Sequence, residues 1–325
     1  FAVGNPNFGK TTAWVAGQND PTTFFEKSFG TVNSINLNGG DQTSTFNVNF
    51  SNNTEKGVLP NSSLKRNILG GNFSKDLSDK FKAIAFFTFT DQNTVGRNSL
   101  GYGNNFIGGF RQWWQTNVDI KELKQEDFRN HDNVTWNMND PVNGDLSPAY
   151  WNNPYFDRYE NYENDGRRRI LAGATLSYDI TSNLNVLGRA TIDNSNDRQE
   201  ERMAVGSHAE EFGISQISET SGYHLYTRAF LQQTYDFIAS YNLKVNSDIS
   251  GKITGGATLT KSSIDSYEGS TTGGLVKPRL YTLANSAVFV APLESEIRNE
   301  KSGLYGQASF DYKRFIYLEG SYRID

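Results

Sequence analysis

The chain has 325 residues, a formal net charge of −5, no cysteine and a high share of Phe, Tyr and Trp. The lack of cysteine excludes disulfides, thiol catalysis and thiolate metal sites, and the negative charge argues against a general nucleic-acid binder. Mean hydropathy is negative, and no stretch approaches the ~20 apolar residues of a membrane helix. A membrane β-strand needs only about ten residues with every second one apolar, so this composition is compatible with a barrel.

Apolar residues at alternate positions recur along the chain, which is the pattern of strands with one apolar face. The pattern predicts about ten strands, which begin near Thr31, Thr43, Leu64, Lys80, Arg168, Leu184, Gly222, Ile249, Ser302 and Phe315. We expect one face to meet lipid, as for Phe81, Ala83, Ala85, Phe87 and Phe89. We expect the other face to meet a water-filled lumen, as for Asn185, Arg189, Thr191 and Asp193.

The connections alternate between short and long. Short turns are predicted at 39–42, 75–80, 181–183, 246–248 and 313–314, and long connections at 52–63, 91–167, 195–221 and 261–301. Transmembrane barrels have short periplasmic turns and long extracellular loops, whereas a secreted sandwich or propeller, the alternative, has no reason to keep long structureless connections. We therefore predict an all-β fold that forms part of an antiparallel transmembrane β-barrel. Ten strands leave open edges, which lipid does not tolerate, so we expect further strands from sequence outside this chain.

Several short motifs occur in an order that resembles a known family. They are 34–40 (SINLNGG) with 45–50 (TFNVNF), Gly57 with 65–67 (KRN) and Asn72, 153–156 (NPYF) before Arg169 and 171–179, and 302–306 (SGLYG) with 311–313 (DYK) and 317–325 (YLEGSYRID). Together they resemble the SusC/RagA-like TonB-dependent transporters of Bacteroidota outer membranes. The family's N-terminal plug and TonB-contacting segment have no match here, and neither does the C-terminal half of its barrel.

The resemblance implies a 22-stranded barrel of which this chain supplies about ten strands and no plug. On this mapping residues 1–30 are an extracellular loop that leads into the barrel, and residues 31–325 form the barrel wall. The family's activity would be TonB-dependent import of oligosaccharide or peptide nutrients across the outer membrane, with a SusD-like lipoprotein as lid and TonB as energy source. The alternative is a SusC-like barrel that serves as a structural subunit of a multi-protein outer-membrane assembly or secretion machine.

The sequence offers no catalytic arrangement and no cofactor motif. Its three histidines, His131, His208 and His224, are not spaced as a metal pair. The adjacent acidic pairs, such as Glu200 with Glu201, are typical of solvated loops rather than of paired-carboxylate catalysis. We therefore predict a protein that is not an enzyme and that has no catalytic residue, metal or cofactor.

The long connection at 91–167 concentrates aromatic residues, including four of the five tryptophans. Aromatic rings beside polar groups bind sugars, peptides and partner proteins, but they also build a loop's own core or the interfacial girdle of a barrel. The candidates for ligand or partner contact are Trp113, Trp114, Trp136, Tyr150, Trp151 and Tyr155. Where the connection re-enters a strand, Arg167, Arg168 and Arg169 are candidates for binding anionic lipid headgroups, with ordinary solvated positions as the alternative.

Overall fold

The computed structural model describes residues 5–98 and 105–325, and these contain sixteen strands. Ten of them form one antiparallel sheet whose order follows the chain: β1, β2, β3, β4, β7, β8, β11, β12, β15 and β16. Their bounds are β1 Phe29–Gly40, β2 Ser44–Lys56, β3 Ser63–Ser78, β4 Phe81–Val95, β5 Met138–Asp140, β6 Asp145–Pro148, β7 Glu163–Asp179, β8 Leu184–Met203, β9 Glu210–Phe212, β10 Ile217–Glu219, β11 Gly222–Lys244, β12 Ile249–Ser270, β13 Thr272–Leu275, β14 Ser286–Val288, β15 Leu293–Tyr312 and β16 Ile316–Ile324. The predicted all-β class and the number of strands in the sheet are confirmed.

Short helices and hairpins fill the long connections. The helices are α1 Phe106–Gln112, α2 Ile120–Asn130 and α3 Pro154–Tyr159, with 3-10 turns at Pro21–Phe24 and Leu283–Asn285. Asp119 and Asn153 begin α2 and α3, since each side chain accepts a hydrogen bond from a backbone N–H of the first turn. Strands β5 with β6, β9 with β10 and β13 with β14 pair as small separate sheets. Within the described residues, no helix is both long and apolar enough to cross a membrane.

Several strands are longer than their apolar pattern indicates. Strand β7 begins at Glu163 rather than near Arg168, and β15 begins at Leu293 rather than near Ser302. The long connections shrink accordingly to 57–62, 96–162, 204–221 and 271–292. The reason is that backbone pairing continues through polar sequence, where hydrophobic alternation gives no signal. The predicted loop bounds were therefore too wide.

The register gives the sheet two chemically different faces. Ala85 pairs with Ala174, and Ala174 with Ala190, so the alternating apolar residues of successive strands share one face, named here the apolar face. Its side chains are open to the surroundings, as shown by Phe237 at 57% and Leu304 at 63% exposure. The Phe81 and Arg189 sets lie on opposite faces, as predicted. The assignment of lipid and lumen to these faces stays a prediction.

All short turns lie at one edge of the sheet. This follows because neighbouring strands are antiparallel and follow one another along the chain. Backbone hydrogen bonds join adjacent turns, for example Asp76 N to the Thr43 carbonyl and Lys313 N to the Asp248 carbonyl. The predicted one-sided placement of the short turns is confirmed, and the long connections share the opposite edge.

The buried apolar residues are concentrated at that long-connection edge. Phe24, Ile120, Leu123 and Tyr155 form a hydrophobic cluster, supported by half-buried rings from the 96–162 connection. We call residues 105–162, together with the 17–26 segment that packs on them, the loop module. Backbone hydrogen bonds from Gly17 N to the Thr116 carbonyl and from Ile120 N to the Asn19 carbonyl tie the two parts together.

Candidate functional site

The polar face of the sheet carries charged residues in matched pairs across neighbouring strands. Arg169 on β7 lies 2.6 Å from the carboxylate of Asp193 on β8, and Arg189 on β8 lies 2.8 Å from that of Asp236 on β11. Ion pairs of this kind on one face join neighbouring strands of the sheet.

Two arginines share one buried carboxylate further along the same face. Asp197 is buried and lies 2.5 Å from Arg167 Nε and 3.5 Å from Arg228 Nη1. The two guanidinium groups compensate the buried charge of Asp197. Asp165 also lines this part of the face, so the region carries charges of both signs.

A groove of about 1200 Å³ surrounds this triad and spans strands β4 to β15. Its lining is mostly polar and includes the carboxylates of Asp165 and Asp197 beside Arg167 and Arg228. Such a volume exceeds the ~300–1,000 Å³ of ordinary small-molecule pockets. It is suited to a hydrated, polar solute rather than to an apolar one.

One histidine on the polar face lies between two acidic residues. His224 Nε2 is 3.0 Å from Glu268, and its Nδ1 is 3.5 Å from Glu201. Glu201 and Glu268 raise the pKa of His224 above its usual value, in spite of the opposing effect of burial. The ring of His224 therefore joins β8, β11 and β12 near the long-connection edge.

An edge-on series of rings builds the core of the loop module. Phe110 contacts Phe24 at a ring-centroid distance of 5.2 Å and Trp114 at 5.6 Å, and Trp114 contacts Trp136 at 4.9 Å. Tyr155 completes the cluster 5.0 Å from Phe24, and its burial raises the pKa of the phenol to about 12. Trp114, Trp136 and Tyr155, three of the six contact candidates, are thus part of the module's own core.

The remaining contact candidates lie at the surface of the loop module. Trp113 is 53% and Tyr150 75% exposed. Trp151 is half-buried against the backbone of Gly109, where a Cβ atom would lie 3.5 Å from its ring. Trp113 is held in place through its carbonyl oxygen, which accepts a 3.0 Å hydrogen bond from Trp136 Nε1. Exposed rings on an ordered support are what a partner or ligand surface requires.

A buried arginine attaches the loop module to the sheet. The guanidinium of Arg158 donates to the carbonyl oxygens of Pro60 at 2.8 Å, Gly96 at 2.6 Å and Arg97 at 3.1 Å. These acceptors belong to the β2–β3 connection and to the start of the 96–162 connection. A single side chain therefore fixes the module to two neighbouring strand connections.

The three consecutive arginines are divided between the two faces. Arg167 and Arg169 point to the polar face, where each pairs with an aspartate. Arg168 lies on the opposite face, is well exposed and is 3.2 Å from Asp91. Of the three headgroup candidates, Arg168 alone shares a face with the apolar residues Ile170 and Ala172 of the same strand.

No protein-family profile and no curated protein sequence matches this chain. Solved structures do match. The structure of the RagAB peptide transporter covers 90% of this chain with a TM-score of 0.68 and 13% identity, and the RagAB peptide importer in the 'open-open' state covers 97% with a TM-score of 0.70 and 14% identity. This chain has the fold of part of a RagA-type β-barrel. The fold expected from the resemblance to SusC/RagA-like proteins is confirmed.

The match covers one part of each RagAB chain. This chain spans about a third of the matched RagAB chains, with 31% and 34% of their length covered. The RagA-type fold accounts for the ten-stranded sheet, with β1 and β16 as its outer strands.

Sequence reasoning did not identify the residues that hold the loop module together. The role of Arg158 could not be recognised in the sequence, because its partners are backbone carbonyls about 60 and 100 positions away. Asn153 is fully buried and donates to the Leu123 and Val134 carbonyls at 2.7 and 3.0 Å. Its role at the start of α3 could be recognised in the sequence, because Asn followed by Pro marks a helix start. Its two buried hydrogen bonds could not.

Proposed function

We propose that this chain is part of the wall of an outer-membrane, TonB-dependent importer of oligosaccharide or peptide nutrients. The observation that carries the proposal is the two-faced sheet. An exposed apolar face, opposite a face of paired charges, suits a wall between lipid and water. In this orientation the short-turn edge is periplasmic, the long-connection edge is extracellular and residues 1–30 lead into the barrel from outside.

The RagA-type fold supports import as the activity. The matched structures are a peptide transporter and a peptide importer. A polar groove of this volume fits a hydrated solute such as a peptide or an oligosaccharide. The proposed transport path therefore runs along the polar face, past the triad of Arg167, Asp197 and Arg228.

We propose the loop module as the contact surface for a SusD-like surface lipoprotein. It lies at the long-connection edge and presents Trp113 and Tyr150 outward. Its aromatic core and the Arg158 anchor make it an ordered platform, and ordered aromatic rings lose little conformational entropy on binding.

Bound lipid would meet the apolar face of the sheet, and Arg168 on that face would contact an anionic lipid headgroup.

The test is uptake by cells of a Bacteroidota host that carry or lack the gene for the intact protein. Labelled oligosaccharides and peptides are offered with and without a protonophore, which removes TonB energisation. If the protein is an importer, uptake should require both the gene and an energised membrane. Uptake that is unchanged by loss of the gene would contradict the proposal.

The proteins that copurify with the tagged intact protein separate import from the structural alternative. A single lipoprotein is expected for an importer with a lid. Several unrelated subunits, with uptake unaffected, would instead assign the barrel to a larger assembly or secretion machine.

A further inference from the structure

The loop module contains a buried carboxylate without a hydrogen-bond partner. Asp127 is 1% exposed, and neither of its carboxylate oxygens has a donor within reach. It lies in the last turn of α2, where backbone carbonyls already carry partial negative charge. A buried anion without a hydrogen-bond donor is strongly unfavourable, so the position favours a bound cation.

Two further ligand groups converge on the same point. His131 caps the C-terminus of α2 with a left-handed φ of 57°. Its backbone N–H donates to the backbone carbonyl of Asp127 at 2.7 Å, which leaves the imidazole ring available. Glu160 caps the C-terminus of α3, and its Oε1 lies 2.8 Å from His131 Nδ1. One ligand atom from each of Asp127, His131 and Glu160 lies within 4.8 Å of the others. Two helix C-termini therefore point at one cluster of donor atoms.

We propose that Asp127, His131 and Glu160 form a binding site for a divalent transition metal, with Zn²⁺ as the best fit. Zn²⁺ takes imidazole nitrogen and carboxylate oxygen at ~2.0–2.2 Å, which places tetrahedral donor atoms about 3.3 Å apart. The cluster reaches that spacing through small side-chain movements. Ca²⁺ and Mg²⁺ prefer oxygen donors alone, so the imidazole selects against them.

A cation already lies beside the cluster. Arg279 binds Glu160, with Nη2 3.0 Å from Oε1. This guanidinium is half exposed on the 276–282 segment and is an internal competitor for Glu160. A bound metal would take its place and join α2 directly to α3.

The experiment measures Zn²⁺ bound to the intact protein in detergent by titration calorimetry and by metal analysis after gel filtration. Asp127→Asn and His131→Gln remove one ligand each. Asp132→Asn is the matched control, because Asp132 is an exposed acid next to His131 that lies outside the cluster. Arg279→Gln removes the competitor. Protease resistance of the loop module verifies that each variant is folded.

The wild type and Asp132→Asn are expected to bind Zn²⁺ equally. Both ligand variants should lose one equivalent, or bind it about 100-fold or more weakly, since even indirect supports of a metal site are worth 10–100-fold in affinity. Arg279→Gln should bind more tightly. Equal Zn²⁺ binding by the wild type and both ligand variants would overturn the proposal, and so would a wild type that binds no Zn²⁺. Preference for Ca²⁺ over Zn²⁺ would overturn the assignment of the metal.

Discussion

Arg158 Nη2 donates a 2.6 Å hydrogen bond to the carbonyl oxygen of Gly96, the first residue after β4. Gly96 has a φ of +67°, and a Cβ atom there would lie 1.9 Å from the Asn61 carbonyl oxygen. The close approach of these backbones therefore requires glycine at this position. The point at which the long connection leaves the sheet is fixed by one arginine and one glycine.

Replacement of Arg158 by Met should release the loop module without unfolding the barrel. The substitution keeps much of the side-chain volume but leaves several buried carbonyls without a donor, which destabilises the module by about 3 kcal/mol. Limited proteolysis of the intact protein measures this as faster cleavage within 96–162. Arg111→Ala, at an exposed position of α1, should leave the cleavage rate unchanged. Equal rates for Arg158→Met and the wild type would show that the anchor is dispensable.

A new charge should be harmful on the apolar face of β4 and tolerated on its polar face. Ala85→Arg places a cation on the apolar face and should lower the free energy of unfolding in liposomes by about 2–4 kcal/mol, as expected for arginine near the bilayer midplane. Thr88→Arg, on the polar face of the same strand, should be tolerated. Urea titrations of the two variants provide the comparison. If Thr88→Arg were the more harmful change, the lipid and lumen assignments would be reversed.

The aromatic residues of the loop module should separate into two functional groups. Trp113→Ala removes an exposed ring and should weaken binding of the lid lipoprotein, by ~30-fold if the ring is an interface anchor, with the module still folded. Trp114→Ala removes a core ring and should destabilise the module by ~3–5 kcal/mol. Affinity for the copurified partner and protease resistance are measured for both. Unchanged partner affinity in Trp113→Ala would mean that the ring is not a contact residue.

The long-connection ends of β8, β11 and β12 should be more stable at pH 6 than at pH 8. Glu201 and Glu268 raise the folded-state pKa of His224. The resulting stabilisation is fully present below the unfolded-state pKa of ~6.5 and is lost as pH rises through the folded-state pKa. Cleavage within 204–221 by a protease, expressed as the ratio of wild type to His224→Gln, should therefore be lowest at pH 6. A ratio independent of pH would show that this imidazolium does not hold the strands together.

The sheet could be predicted from the sequence because its signal is local. Alternation such as that from Phe81 to Phe89 follows from the two-residue period of a strand and needs no knowledge of distant residues. The polar strand ends, such as the start of β15, carry no such signal and were assigned to loops. Their pairing depends on the neighbouring strand and not on their own composition.

The loop module could not be predicted for a different reason. Composition showed that rings were concentrated there, but only tertiary packing separates Trp114 in the core from Trp113 at the surface. The cluster of Asp127, His131 and Glu160 was also missed, although Asp127 and His131 are four residues apart and such spacing places side chains on one face of a helix. Glu160 joins them only through the packing of α2 against α3.

The length of β11 sets a distance that a surface partner must span. Its 23 residues, at about 3.3 Å per residue and a tilt of ~40°, rise about 58 Å, whereas the apolar band of a barrel is only ~25 Å tall. In the proposed orientation the sheet stands roughly 30 Å above the bilayer. A lipoprotein seated on the loop module then needs about ten extended residues between its folded domain and its lipid anchor. Shortening that tether should detach the lid even when every contact residue is intact.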